Sequence, residues 1–206
     1  MNAGTQRRPV AGPAGAIECA VDEPAAGTAA RGVAVLCHPH PQHGGTMDNK
    51  VVQTLARAAV QVGFRAVRFN FRGVGGSAGA WDQGRGEVDD ALAVIQALRD
   101  PALPLALGGF SFGGAIATQA AARLAAAAAP PQRLVLVAPA VVNFPAQPVS
   151  QDTLLIHGEA DDVVPLAAVL DWARPQALPV TVVPGTGHFF HGQLALLKQI
   201  VAAAWR

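Results

Sequence analysis

The stretch ALGGFSFGGA, residues 106–115, sets one serine between glycines that stand two positions away on either side. The apolar run PLALGGF before Ser111 predicts a buried strand, and the run FGGAIATQAAARLAAAAA after it predicts a helix that ends at a Pro-Pro pair. A sharp turn from strand to helix strains the serine backbone and crowds its neighbours, which favours glycine at positions 109 and 113. The stretch therefore predicts a hydroxyl exposed at a sheet edge, although a tight turn with a capping serine has the same pattern.

Strand-like and helix-like segments alternate along the rest of the chain. Strands are predicted at AIECAV, GVAVLC, RAVRFNF, RLVLVAPA, TLLIHG and VTVVPG. Helices are predicted at DNKVVQTLARAAVQVG, EVDDALAVIQAL, LAAVLDWA and GQLALLKQIVAAAW, the first with Asp48 as its N-cap and Gly63 at its end. This alternation predicts an α/β fold with a mostly parallel sheet flanked by helices on both faces. In such sheets ligands bind beyond the carboxyl ends of the strands.

Length and composition limit the classes of protein and partner. The 206 residues contain no internal repeat or long linker, so we expect one domain over residues 1–206, with a flexible segment over residues 1–14. The net charge of +1 gives no electrostatic reason for binding nucleic acid or an anionic membrane. The N-terminus lacks the apolar core of a secretory signal, and no run reaches about 18 apolar residues, so we expect a cytoplasmic protein. Cys19 and Cys37 lie in apolar runs and are expected to be buried free thiols.

A serine hydroxyl becomes a strong nucleophile only when a base takes its proton, so the chemistry predicted for Ser111 needs a histidine and a carboxylate. Both follow strands later in the chain: Asp161 and Asp162 lie in HGEADDVVP, and His188 lies in PGTGHFF. The order serine, aspartate, histidine is that of the α/β-hydrolases and differs from the order in other serine hydrolase folds. We therefore predict that His188 accepts the Ser111 proton, and that an aspartate fixes the imidazole tautomer and stabilises its charge.

Neighbouring residues offer alternatives for two of these positions. We predict Asp161 as the acid, which leaves Asp162 as the turn or capping residue, but the sequence does not settle which carboxylate points at the histidine. His191 is an alternative to His188, although it lies further from the strand end and close to the terminal helix. His157 ends its strand and is expected to pack or to form a hydrogen bond there.

An acyl-transfer reaction also needs N–H donors for the oxyanion that develops in the transition state. The residue after the nucleophile supplies the first donor, which predicts the backbone N–H of Phe112. The second should come from the loop CHPHPQHGGTMDN, where the prolines on either side of His40 have no N–H, so His40 is predicted. The three histidines of this loop have no nearby carboxylate or thiolate in a recognised ligand spacing, so we expect no metal.

The segments HPHPQHGGTMDNKVV, FNFRGVGGSAG, GGFSFGG, HGEADDVVP and GTGHFFHG together resemble those of small bacterial α/β-hydrolases without a cap, related to dienelactone hydrolases. They extend from residue 38 to residue 192. The resemblance implies the α/β-hydrolase fold, and it carries the triad and the oxyanion donors onto these positions: Ser111, Asp161, His188, Phe112 and His40. Dienelactone hydrolases use a cysteine nucleophile, so the serine in this chain weakens the inference that the substrate is a dienelactone.

The sequence also predicts an open site. Only PAVVNFPAQPVSQD separates two strands where larger relatives insert a lid, and this segment is too short to fold into a helical cap. Phe110, Phe144 and Phe189 are candidates to line the pocket, together with Phe112, although buried packing is expected for at least two of them. Arg72 in the glycine loop is expected to form a structural ion pair.

We therefore expect a serine hydrolase that cleaves a carboxylic ester or similar acyl bond of a small molecule through an acyl-enzyme, without a cofactor. One alternative is acyl transfer or perhydrolysis, in which another nucleophile replaces water. Another is a binding protein that keeps the fold without catalysis. A homodimer is compatible with the sequence.

Overall fold

The computed structural model describes residues 4–206. The strands are β1 (Gln6–Arg7), β2 (Val10–Gly12), β3 (Gly15–Ile17), β4 (Cys19–Asp22), β5 (Gly32–Cys37), β6 (Phe64–Phe69), β7 (Leu105–Phe110), β8 (Arg133–Val137), β9 (Leu154–Gly158) and β10 (Val180–Val183). Within this part of the chain, eight strands form one sheet in the order β1-β4-β6-β5-β7-β8-β9-β10, while β2 and β3 form a separate pair. The pairs among β5 to β10 are parallel, and β4 runs antiparallel to both β1 and β6.

Helices cover both faces of this sheet. They are α1 (Lys50–Gln61), α2 (Arg85–Leu98), α3 (Phe112–Ala126), α4 (Leu166–Ala173) and α5 (Leu194–Ala204). Helices α1 and α5 pack against each other on one face, and α2 packs against α3 on the other. The predicted α/β architecture is confirmed. No helix in residues 4–206 has the length and apolar character that crossing a membrane requires.

The two central strands explain where the site lies. Every residue of β5 and of β7 is buried, because helices cover the sheet on both sides at this point. Such strands need an unbroken apolar sequence, which GVAVLC and LALGGF supply. Since β5 and β7 are parallel neighbours, their carboxyl ends meet at the same edge. The loop after β5 and the serine after β7 are therefore brought side by side.

The N-cap of helix α1 lies one residue later in the chain than the sequence predicts. Asn49 is the N-cap, and its side-chain oxygen accepts a hydrogen bond from the Val51 N–H at 2.9 Å. The carboxylate of Asp48, which was expected in this role, instead binds the buried guanidinium of Arg68 at 2.8 Å. The predicted end of the helix is confirmed, because Gly63 has the left-handed φ of 88° typical of a residue after a helix.

The N-terminal region differs from the expectation. Residues 1–3 lie outside the described residues, and the rest of the segment expected to be flexible contains the short strands β1 and β2. The single strand predicted at AIECAV is divided into β3 and β4 at Glu18. The Glu18 carboxylate accepts hydrogen bonds from the Asn70 side chain at 2.7 Å and from the Gly76 N–H at 2.8 Å. These contacts join distant residues, so a local sequence pattern does not predict them.

Two further expectations are confirmed. Cys19 and Cys37 are buried free thiols, and burial, with a smaller contribution from the Glu18 charge, raises the pKa of Cys19 to about 12. The chain between β8 and β9 contains neither a helix nor a strand. No cap forms at this position, and the edge of the sheet that carries Ser111 has no helical lid there.

Candidate active site

Ser111 forms a strained turn between β7 and α3. Its backbone has φ 56° and ψ −120°, a combination that residues other than glycine rarely adopt. A Cβ atom at Gly109 would lie 2.1 Å from the carbonyl oxygen of Gly113, and a Cβ atom at Gly113 would lie 2.3 Å from that of Cys37. Real Cβ atoms do not approach this closely. The two glycines that flank the serine are therefore required by the crowding of this turn.

His188 lies between Ser111 and Asp161. Its Nε2 atom is 3.0 Å from the hydroxyl oxygen of Ser111, and its Nδ1 atom is 2.7 Å from Asp161 Oδ2. The three side chains follow β7, β9 and β10, and all three residues are buried; Ser111 retains 8% of its surface exposed. The structure thus brings together the three side chains whose order in the sequence predicted a triad.

The turn that carries Asp161 holds its side chain as a carboxylate. Asp161 Oδ1 accepts hydrogen bonds from the N–H groups of Val163 at 2.9 Å and Val164 at 2.8 Å. Burial alone would raise the pKa of this carboxyl, but the hydrogen bonds from His188 and from the two N–H groups lower it below the ordinary value. Since a carboxylate only accepts, Nδ1 of His188 carries the hydrogen, and Nε2 is free to accept the proton of Ser111.

The adjacent Asp162 does not share these contacts. It is exposed, and the turn that it was expected to cap is capped by Asp161. The prediction that Asp162 caps this turn is wrong, while the carboxylate that faces His188 is that of Asp161, as predicted. A single carboxylate serves both purposes because one of its oxygens faces the turn and the other faces His188.

The other histidines near the triad take different positions. His191 is exposed, and its ring lies beside that of Phe189 with 5.9 Å between the centroids. His157 is fully buried, and its Nε2–H donates to the carbonyl oxygen of Val164 at 2.9 Å, as the predicted hydrogen-bonding role requires. The same Nε2 atom lies 3.4 Å from Asp161 Oδ2. Burial is the main cause that lowers the pKa of His157.

The N–H groups predicted as oxyanion donors lie on adjoining segments. Phe112 is the first residue of α3, where a backbone N–H has no partner within the helix. The N–H of His40 forms no hydrogen bond with any residue from 4 to 206. The loop of His40 touches the serine turn, because a Cβ atom at Gly113 would lie 2.5 Å from the carbonyl oxygen of His38. The two predicted donors therefore lie on segments that adjoin Ser111.

Aromatic rings form one flank of the site. The ring centroids of Phe112 and Phe144 are 4.7 Å apart, and Trp81 lies 5.2 Å from Phe112 and 4.6 Å from His40. Phe144 was predicted to line the pocket, and it is partly exposed on this flank. Trp81 was missed. Its position directly after the glycine loop at the carboxyl end of β6 is the signal that could have identified it.

Phe110 and Phe189 occupy opposite environments. The prediction that Phe110 lines the pocket is wrong, because the residue is fully buried in the core under α1 and α5. Its ring packs against that of His188 with 4.9 Å between the centroids, so it contacts the imidazole from the side of the core. Phe189 is 46% exposed, and with Gly44 and Lys50 it lines a cavity of about 300 Å³. Phe189 thus remains a candidate for substrate contact.

Two of the three histidines in the loop after β5, His38 and His40, use ring nitrogens in hydrogen bonds. His38 Nε2 accepts from the Phe71 N–H at 3.0 Å, and its Nδ1 lies 2.6 Å from the Pro39 carbonyl oxygen. His40 Nδ1 accepts from the Gln42 N–H at 3.2 Å. These bonds occupy the lone pairs of His38 and His40 that a metal would need. Across residues 4–206, no three histidine, cysteine, aspartate or glutamate side chains are arranged to hold a metal ion.

The burial of His38 predicts a loss of stability in acid. Burial lowers its pKa from the ordinary 6.5 to about 4, so between these pH values the unfolded chain binds a proton that the folded protein does not. The free energy of unfolding should therefore fall as the pH drops through this window, by on the order of 3 kcal/mol from this group. Urea titrations at several pH values in this window give the free energy of unfolding of the native protein and of His38→Asn, and the native value should fall more steeply as the pH drops. The same pH dependence of the free energy of unfolding in the two proteins would contradict the prediction.

Arg72 forms the ion pair that the sequence predicted. Its Nε and Nη2 atoms bind the two carboxylate oxygens of Asp90 at 3.0 and 2.8 Å. The backbone N–H of Arg72 donates to the same carboxylate at 3.0 Å. The glycine loop is thereby attached to α2, which fixes the segment that carries Trp81.

Comparison with known proteins identifies a family that this chain matches. Residues 28–151 match the family described as serine aminopeptidase, S33. The structure is similar to that of an α/β serine hydrolase without lid from Xanthomonas campestris, with 39% sequence identity, a TM-score of 0.87, and 99% of this chain and 94% of that chain covered. An α/β serine hydrolase homologue from Coxiella burnetii is 36% identical, with a TM-score of 0.82 and 96% of each chain covered.

A curated relative shares a shorter region. A protein of Rickettsia prowazekii described as uncharacterized is 46% identical over 90 residues, which is 42% of this chain. The match covers only 38% of that relative's length. These similarities agree with a fold that lacks a lid, while the relation to dienelactone hydrolases stays a prediction.

Proposed function

Since the chain belongs to the serine aminopeptidase S33 family of α/β serine hydrolases, we propose that it hydrolyses carboxylic esters of small molecules through an acyl-enzyme on Ser111. The observation that supports the proposal most strongly is the position of His188, 3.0 Å from the Ser111 hydroxyl and 2.7 Å from Asp161. In this arrangement Ser111 is the nucleophile and His188 is the general base. The Asp161 carboxylate orients the imidazole of His188.

Acylation follows from these contacts. As Ser111 Oγ attacks the ester carbonyl carbon, His188 Nε2 takes the hydroxyl proton. The resulting oxyanion accepts hydrogen bonds from the N–H groups of Phe112 and His40, each worth about 2.7 to 4 kcal/mol in the transition state. The tetrahedral intermediate then loses its bond to the alcohol oxygen, and the alcohol leaves with the proton from Nε2. The acyl group remains bound to Oγ.

Deacylation uses the same groups in the reverse order. His188 Nε2 takes a proton from a water molecule as the water oxygen attacks the acyl carbon. The second tetrahedral intermediate breaks at its bond to Ser111 Oγ, which regains a proton from Nε2, and the carboxylic acid leaves. One ester and one water thus give one acid and one alcohol. An alcohol or hydrogen peroxide in place of water would make the same site an acyltransferase or a perhydrolase.

The two flanks of the site suggest how an ester would lie. The leaving oxygen must reach His188 Nε2, so we place the alcohol portion on the flank of Phe189 and its cavity of about 300 Å³. The acyl portion then lies on the opposite flank, against Trp81 and Phe144. Both flanks present aromatic rings, and no lid closes over them between β8 and β9. Small apolar acyl groups fit this arrangement best.

The charges near the site favour an ester over a peptide with a free N-terminus. An aminopeptidase must bind the terminal ammonium group of its substrate, which needs an available carboxylate. Lys50 on the cavity wall would repel that group. Asp48, the one carboxylate on this wall, is already bound to Arg68 at 2.8 Å. Asp161 is engaged by His188.

The test of the proposal is product partitioning. Phenyl acetate and p-nitrophenyl acetate would be hydrolysed in the presence of methanol, and methyl acetate and acetate would be measured. A common acyl-enzyme predicts the same ratio of the two products from both esters, because the leaving group has departed before water and methanol compete. Ratios that depend on the leaving group would contradict an acyl-enzyme.

Amino-acyl p-nitroanilides provide the comparison within the same assay. We expect their cleavage to be far slower than that of the esters. Faster release of nitroaniline than of nitrophenol would favour an aminopeptidase, and no turnover of either class would favour the non-catalytic alternative.

A further inference from the structure

His38 is a buried imidazole that the proposed reaction does not use. It follows the last residue of β5, has no exposed surface and packs on the ring of Phe71 with 4.6 Å between centroids. The Phe71 N–H donates to its Nε2 at 3.0 Å, so Nε2 is the acceptor and Nδ1 carries the hydrogen. Nδ1–H then donates to the carbonyl oxygen of Pro39 at 2.6 Å. The imidazole therefore links two backbone peptides and has one defined tautomer.

The peptide that His38 holds is the one that carries the second oxyanion donor. The Pro39 carbonyl and the His40 N–H belong to the same peptide unit, and the chain contains no cis peptide bond in residues 4–206. In a planar trans peptide the C=O and the N–H point in opposite directions. A bond that fixes the carbonyl oxygen on one side consequently fixes the direction of the N–H on the other side.

The loop around this peptide is tightly folded. A Cβ atom at Gly45 would lie 2.1 Å from the Pro39 oxygen, so the loop closes tightly over it. The N–H groups of His43 and Gly45 both donate to the carbonyl oxygen of His40, at 3.1 and 3.0 Å. The loop thus satisfies the carbonyl groups on both sides of the His40 N–H and leaves that N–H unpaired.

We propose that His38 is the positioning residue of the oxyanion hole: by binding the Pro39 carbonyl, its imidazole aims the His40 N–H at the oxyanion. The inference rests on the proposed function, since it assigns a role to an oxyanion. His38 touches no substrate atom in this scheme. It acts through the Pro39–His40 peptide, and the Phe71 N–H holds the ring in the orientation that this requires.

Two substitutions separate the two hydrogen bonds of the ring. In His38→Asn, the side-chain NH₂ stands near the former Nδ1 position and still donates to the Pro39 oxygen, while the acceptor for Phe71 is lost. In His38→Gln, the longer side chain places its amide near the former Nε2 position, where its oxygen accepts from Phe71, while the bond to Pro39 is lost. The pair has similar polarity and differs in which backbone group is held.

The proposal predicts a difference in kcat between the variants. With p-nitrophenyl butyrate, His38→Gln should lose about 10²-fold in kcat, the lower end of the loss for one oxyanion donor, with KM changed by less than about threefold. His38→Asn should keep kcat within about tenfold of the native value. Equal losses in the two variants, or a kcat in His38→Gln within about threefold of native, would overturn the proposal. Thermal unfolding of both variants shows whether they fold.

A structural readout keeps the proposal testable apart from activity. Crystal structures of the native protein and both variants should show the Pro39–His40 peptide retained in His38→Asn and rotated in His38→Gln. The same peptide orientation in all three proteins would overturn the proposal even if kcat changed. If the native protein hydrolyses no ester, the proposed function fails, and the peptide orientation still decides whether His38 sets the direction of the His40 N–H.

Discussion

Replacing His188 by glutamine is expected to lower kcat for p-nitrophenyl esters by about 10⁶-fold, the size of loss that follows removal of the base from a serine triad. The glutamine amide can hydrogen-bond to Ser111 but cannot take its proton, so the hydroxyl remains a weak nucleophile. The substitution keeps a polar side chain of similar length beside Phe110 and Asp161. Steady-state rates with p-nitrophenyl acetate and butyrate measure the loss.

His191→Gln is the matched control for this substitution. His191 is exposed and lies three positions further along the same loop. It lines the cavity assigned to the alcohol group, so its replacement should affect KM more than kcat, and the kcat of the variant should stay within about threefold of native. Equal losses in the two variants, or a loss confined to His191→Gln, would mean that the base has been assigned to the wrong histidine.

Asp161→Asn is expected to reduce kcat by about 10⁴-fold with little change in folding. The asparagine oxygen can still accept from the N–H groups of Val163 and Val164, so the turn is preserved. Its NH₂ group, however, then faces Nδ1 of His188 and favours the tautomer with the hydrogen on Nε2. In that tautomer the imidazole cannot accept the proton of Ser111.

Asp162→Asn removes the same charge one residue later. Asp162 is exposed and takes no part in the contacts of the turn, so kcat should remain within about threefold of native. Rates measured near neutral pH for both variants decide between the two aspartates. A loss confined to Asp162→Asn would overturn the assignment of Asp161 as the acid.

The architecture could be predicted because burial on both faces of a sheet leaves an unmistakable pattern. Runs such as GVAVLC and LALGGF have no polar residue, and the segments between them repeat at helical spacing. Elements that depend on distant partners could not be predicted in this way. Glu18 separates β3 from β4, and its carboxylate binds Asn70 and Gly76, which lie 52 and 58 positions away. Local periodicity carries no signal for such contacts.

The three residues of the candidate triad could be predicted from their order, because each follows a strand and parallel strands end at one edge. Their detailed roles could not. The turn around Asp161 uses both carboxylate oxygens, a choice that depends on how the loop folds and not on which of two adjacent aspartates precedes a valine.

The burial of Phe110 follows from the alternation of side chains along a strand. Side chains alternate along a strand, so Phe110 shares a face of β7 with Ala106, and both lie in the core under α1 and α5. Ser111, by contrast, stands after the end of the strand in a strained conformation, where alternation no longer applies. Proximity to the nucleophile in the chain therefore says little about exposure to substrate.

The reaction assigned to Ser111 can be examined by following its labelling with a fluorophosphonate, using peptide mass spectrometry to locate the adduct. We expect one adduct in the native protein, on the hydroxyl oxygen of Ser111, and a much slower reaction in His188→Gln. A native protein that stays unmodified, or one whose adduct is on a different serine, would contradict the proposed nucleophile.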